Sequence, residues 1–177
     1  MATRDILKTL KVEHDELRAL FEQMESTTDR AGKRRAELLG RIEARLLPHA
    51  KWEETVFYPR FAERADRNGL KTHAEAVEEH RAVEKTVIPD VHAAEITTPQ
   101  FAGRVKVFGE MIDHHATEEE NTMFAMAREL FTPQELAELD VAYEEWKASP
   151  ASTAVSAMAG VKTGVQAAVR RVTRRAL

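Results

Sequence analysis

The sequence predicts an all-α protein, an antiparallel up-down-up-down four-helix bundle followed by a short fifth helix and a basic C-terminal tail. Three observations carry this. Seven Gly and six Pro are few for 177 residues, and no stretch sustains the two-residue alternation of a strand. Ala, Leu, Glu, Arg and Lys, all good helix formers, dominate the composition. Capping and helix-stopping residues cluster at Ser26-Thr27-Thr28-Asp29 with Gly32, at Asp66-Arg67-Asn68-Gly69, at Thr97-Thr98-Pro99 and at Phe131-Thr132-Pro133, cutting the chain into long periodic segments.

Taken in order, the segments are helices over about 4–26, 30–65, 70–95 and 99–130, then a shorter one near 133–148 that opens with the capping-box pair Thr132 and Glu135. Short connections between long helices make neighbours antiparallel. After Ser149-Pro150 the mixed-charge pattern gives way to Ala, Val, Ser, Thr and Gly. The expected organisation is a bundle over 1–149 and a tail over 150–177, with no solenoid-type repeat.

Charge follows the same division. Residues 1–149 hold 21 Lys and Arg against 30 Asp and Glu, whereas 150–177 hold five basic residues and no acidic one. An acidic body is a poor match for a phosphate backbone, so no nucleic-acid partner is expected of it; only the tail could take that part. The tail's Val-rich and Ala-rich apolar side is a weak membrane binder, so docking on the acidic body, or disorder, ranks above lipid, and nucleic-acid contact comes last. No leader-type signal opens the chain, and no apolar run approaches the roughly 20 residues that span a bilayer. A cytoplasmic protein is expected. The absence of cysteine excludes disulfides, iron–sulfur clusters, thiolate zinc and thiol catalysis, and nothing resembles a nucleophilic triad, a phosphate-binding Gly loop or His-Glu-x-x-His.

Following the apolar seams at steps of three and four locates polar residues where core residues belong. The first helix reads Leu7, Leu10, His14, Leu17, Phe21, Met24. The second reads Leu39, Ile42, Leu46, His49, Glu53, Val56, and the third Val77, His80, Glu84, Val87, Val91. The fourth reads Phe101, Val105, Phe108, Ile112, His115, Glu119, then Met126 after Thr122. His14, His49, His80 and His115 lie near mid-helix, so antiparallel packing sets them at one height with Glu53, Glu84 and Glu119. Three buried carboxylates without a cation would repel one another and lose their hydration. The spacing His-x-x-x-Glu at 49/53, 80/84 and 115/119 stacks each pair on one helix face. Nitrogen and oxygen donors in this number suit iron or manganese, and exceed what one structural zinc needs.

The order His14, then His49-Ala50-Lys51-Trp52-Glu53-Glu54, then His80, then His115-Ala116-Thr117-Glu118-Glu119-Glu120 resembles the hemerythrin/HHE cation-binding family over roughly residues 4–130. The resemblance implies two iron ions (Fe2+/Fe3+), with His14, His49, His80 and His115 as terminal ligands. It also implies Glu53 and Glu119 bridging beside an oxo or hydroxo group, and a dioxygen, nitric oxide or peroxide ligand with an unknown electron donor. Two departures from oxygen-carrying hemerythrins stand out. Glu84 occupies the place of a second histidine on the third helix, and the fourth-helix spacing is His115-x-x-x-Glu119 rather than His-x-x-x-x-Asp. An extra anionic donor stabilises oxidised metal, which favours peroxide chemistry of a catalase or peroxidase kind over reversible oxygen carriage. An iron-based sensor and an iron-buffering protein are the alternatives.

His114 to Glu119 also fits a five-residue spacing, although the seam favours His115. His73 lies two turns from His80 and misses the layer, and His92 reads as surface. Tyr58, before Pro59, reads as core packing with a phenol that the proline could redirect toward the site. Ferritin-like di-metal bundles carry Glu-x-x-His, and none of the seven histidines has Glu at that offset.

Overall fold

In the computed structural model, residues 4–155 are described, and they are helical throughout apart from short connections. The expected tail lies outside the described residues from 156 onward. Helix α1 spans Ile6–Glu25, with the Asp5 carboxylate accepting from the amide of Leu7 at 3.1 Å. Helix α2 (Gly32–Trp52) runs through a π-helical turn, Glu53–Phe57, into α3 (Tyr58–Ala62). Helix α4 (Arg67–Ala82) likewise passes through Val83–Val87 into α5 (Ile88–Ala93). Helix α6 (Pro99–Glu118) passes through Glu119–Met123 into α7 (Phe124–Leu130), and α8 spans Pro133–Lys147.

The caps explain the ends. Thr98 caps α6 and Thr132 with Glu135 forms the expected capping box on α8, each with Pro at the start of the helix, where its missing N–H costs nothing. The third stretch begins at Arg67 rather than near 70, because Asp66 accepts from the amides of Asn68 and Gly69 and so recruits those residues into the first turn. Two π turns are followed at once by a proline near the start of the next segment, Pro59 and Pro89. Widening the turn ahead of proline relieves the clash of its ring with the preceding backbone.

Helix α1 packs on both α2 and α6, α8 lies across α1 and α2, α3 packs on α4, and α5 on α6. A Cβ on Gly109 would come within 3.0 Å of the Phe21 ring, so the absence of a side chain there lets α1 and α6 approach closely. Two apolar clusters result. One gathers Leu7, Leu10, Trp52, Phe57, Phe61, Phe124 and Tyr143, the other Leu17, Phe21, Ile42, Leu46, Phe108 and Ile112. Between them lies a polar layer.

Candidate metal centre

Six of the seven residues expected at the site meet in that layer. His14, His49, Glu53, His80, His115 and Glu119 are all buried, Glu53 with no exposed surface. Their donor atoms fall into two groups, His14, His49, Glu53 and Glu119, and Glu53, His80 and His115, each with its atoms within 4.8 Å of one another. Glu53 belongs to both, with Oε1 at 3.1 Å from His49 Nε2 and Oε2 at 3.6 Å from His80 Nε2. Glu119 Oε2 stands between His14 Nε2 at 3.4 Å and His115 Nε2 at 3.6 Å.

The seventh residue, Glu84, does not join them. Its side chain is 43% exposed and pairs with Lys85 Nζ at 2.6 Å. The physical reason is the π turn, which on this stretch starts at Val83, three residues after His80. On the other two stretches it starts at Glu53 and Glu119, four after the histidine. Val83 is therefore the buried residue, and Glu84 rotates to the surface side. The same turns carry the inward face from Val56 to Phe57 and from Thr122 and Met126 to Met123 and Ala127. His114 is 61% exposed beside Glu79 and Glu118, which leaves His115 as the inward histidine.

Each of the four histidines has a carboxylate at Nδ1. His49 donates to Glu13 Oε2 at 2.8 Å, His115 to Glu79 Oε2 at 2.7 Å and His14 to Glu120 Oε1 at 3.1 Å, and Glu54 Oε1 lies 3.3 Å from His80 Nδ1. A carboxylate only accepts, so His14, His49 and His115 carry a proton on Nδ1 and turn Nε2 toward the layer. His80 Nε2 and His115 Nε2 stand 3.0 Å apart. His14 Nε2, His80 Nδ1, both oxygens of Glu53 and Glu119 Oε2 are buried without a hydrogen bond. Buried polar atoms facing each other in this way are costly, and the donor set fits a cation between them.

A match decides what kind of protein this is: residues 5–127 fit the family model described as hemerythrin HHE cation binding domain. The chain belongs to this family. A crystal structure of a hemerythrin HHE cation binding domain-containing protein from Mycobacterium kansasii has the same fold, with a TM-score of 0.67 at 21% identity, covering 88% of this chain and 98% of that one. A protein from a Nostoc species named DNA nickase is 26% identical over 127 residues, 70% of this chain and 34% of its own length. The chain thus spans about a third of that relative.

In this hemerythrin HHE chain the electrostatics centre on Glu13, which also accepts from Lys147 Nζ at 3.0 Å and from the Tyr143 hydroxyl. Burial works to raise its pKa, yet His49, Tyr143 and Lys147 outweigh it and hold Glu13 at about 2. Burial likewise opposes charge on His49, and Glu53 with Glu13 overcomes it, lifting His49 to about 10. The proton that His49 so keeps toward Glu53 is the one a metal ion replaces. Tyr58 proves to be more than packing. Its hydroxyl donates to Glu119 Oε1 at 2.8 Å, and burial together with Glu119 and Glu53 raises its pKa well above normal, so it stays a neutral donor. His92 is not a surface residue, since its side chain is 12% exposed and bonds the buried carboxylate of Glu43.

The seams miss Glu13, Glu54, Glu79 and Glu120 because these sit one residue off the inward face. A signal for them is nonetheless present as a repeated adjacency: Glu13-His14, His49-x-x-x-Glu53-Glu54, Glu79-His80, His115-x-x-x-Glu119-Glu120. Each extra Glu serves a histidine on another helical stretch. Outer partners of this kind typically cost 10–100-fold in metal affinity when removed. Glu13→Ala is expected to weaken metal binding by about that factor while the chain still folds, measured by competition with a chelator of known affinity; unchanged affinity would reduce Glu13 to a packing role.

Proposed function

We propose that the protein is a non-haem di-iron centre, built within an antiparallel up-down-up-down bundle, that reacts with peroxide or dioxygen in preference to carrying oxygen reversibly. The observation that carries this reading is the sharing of Glu53 between the two buried donor groups. His14, His49, Glu53 and Glu119 would hold one ion and Glu53, His80 and His115 the other, few enough donors to leave room for a small ligand. Iron suits imidazole and carboxylate donors together, and cysteine is absent. Redox-active ions held there would supply electrons and Lewis acidity toward peroxide, dioxygen or nitric oxide.

The preference for oxidation no longer rests on Glu84. It rests on the carboxylates at the four Nδ1 atoms, which make the imidazoles more basic donors and so favour the oxidised metal. Tyr58 holds a proton at its hydroxyl oxygen, aimed at Glu119 Oε1, and orients that carboxylate. Phe124 stacks on His14 with ring centroids 5.9 Å apart, and with Trp52 and Phe57 it belongs to the apolar cluster on one side of the layer. Among the described residues no helix is long and apolar enough to cross a membrane, which fits the proposed cytoplasmic location. The acidic body favours a small ligand over nucleic acid as partner, whatever the Nostoc relative's name says of that protein. Residues 1–149 are proposed as the bundle and 150–177 as an appendage to it.

Protein loaded with iron is expected to hold about two ions per chain, to show near-ultraviolet charge-transfer absorption, and to consume peroxide faster than free iron at equal concentration. One ion per chain at saturation, or full release of intact oxygen under vacuum with no peroxide consumption, would overturn the reading.

A further inference from the structure

One cavity of about 260 Å³ opens beside the site and reaches His80 and His115. That is many times what a peroxide molecule or a water needs, and just below the roughly 300–1,000 Å³ of small-molecule pockets. Its walls are apolar, with Leu46, Leu47, Val83, Ile88 and Ile112. Into this wall is set one buried polar device, the bonded pair of Glu43 and His92 joining α2 to α5. Glu43 is 3% exposed, and the pair contributes to neither donor group. A hydrophobic pocket with metal-competent histidines on one side and a histidine–carboxylate pair in its wall has the form of a site for an organic molecule.

We propose that this cavity binds a small neutral hydroxyl compound of single-ring size, a phenol, as an electron donor for the reduction of peroxide. The apolar walls select a ring. Glu43, Glu54, Glu79 and Glu84 border the space paired with His92, His80, His115 and Lys85 respectively, and Lys51, also in the lining, stands 3.7 Å from Glu54. An organic anion therefore meets no cation that lacks a carboxylate of its own. With those charges already partnered, a ligand cation gains little for the hydration it loses. The His92–Glu43 pair offers hydrogen bonds to one hydroxyl. This rests on the peroxide reading above for the donor role, though not for binding. The chemistry balances: two phenols each lose one electron and the O–H proton, and the O–O bond of one peroxide breaks to give two waters.

The test measures phenol binding to iron-loaded protein by calorimetry, with benzoate and benzylamine as anionic and cationic counterparts. Ile88→Trp fills the cavity from a partly exposed wall position, and His92→Gln retains a donor to Glu43. Phenol should bind one site, at least tenfold tighter than benzoate or benzylamine. Its affinity should fall tenfold or more in Ile88→Trp and severalfold in His92→Gln at unchanged iron content. Binding that ignores Ile88→Trp, or that is equal for benzoate or tighter for benzylamine, would overturn the pocket. Binding without faster peroxide consumption would overturn the donor role, and iron content in the same samples shows separately whether the di-iron reading stands.

Discussion

Glu53→Gln is expected to take the metal content from about two ions per chain to well under one. Both oxygens of Glu53 are engaged between histidines of different groups, 3.1 Å from His49 and 3.6 Å from His80. An amide keeps the shape and loses the charge, and its nitrogen is no metal ligand. Loss of a carboxylate that belongs to both donor groups should thus weaken both positions together, not one. Glu119→Gln should behave the same way, because Glu119 Oε2 stands between His14 and His115. Glu84→Gln provides the contrast, with a side chain that is exposed and paired to Lys85. Metal analysis after gel filtration checks all three. Full iron content in Glu53→Gln, or loss in Glu84→Gln, would show that the shared carboxylate is misassigned.

The second large effect is on stability. A ligand that binds only the folded chain stabilises it by about 4 kcal/mol at a thousandfold excess over its dissociation constant. For a domain of this size each kcal/mol is worth roughly 2–4 °C. Stripping the metal with a chelator should therefore lower Tm by about 10 °C, and restoring iron should recover it. What the chelator leaves behind is a layer in which both oxygens of Glu53, and Oε2 of Glu119, face histidine nitrogens without hydrogen bonds. A Tm indifferent to chelation would mean that the layer is satisfied without a cation.

Much of this was legible in the sequence, and the reasons for the rest are local. Caps and prolines wrote the helix ends plainly, with Asp66 the instructive exception: a run of Arg, Asn and Gly read as a break is pulled into the helix by a carboxylate bonding its amides. His14, His49, Glu53, His80, His115 and Glu119 were readable because regular winding holds from each helix start up to the site. Beyond the site it fails. Glu84, Val56 and Met126 were misplaced by the same cause, a π turn that no periodicity of three and four anticipates. Glu13 and Glu79 sit beside a site histidine on their own helix but serve one on the neighbouring helix, a relation that periodicity along one helix does not carry. His92 reads as surface in the sequence because its partner Glu43 lies on a different stretch, brought to it only when α2 and α5 pack together.

The wide turns also act as phase shifters. On the last long stretch the buried helical positions His115, Glu119, Met123 and Ala127 advance in steps of four. At about 100° per residue each such step overshoots a full rotation by about 40°, so three of them would carry the face about a third of a turn away. The slower winding of Glu119–Met123 absorbs that drift, and the two halves of the stretch present one continuous face. Deleting a single residue within 120–122 would restore uniform pitch and leave Phe124 and Ala127 facing the core, because one step of three then replaces a step of four. The wide turn is thus a buffer, taking up one extra residue without passing its rotation to the downstream half.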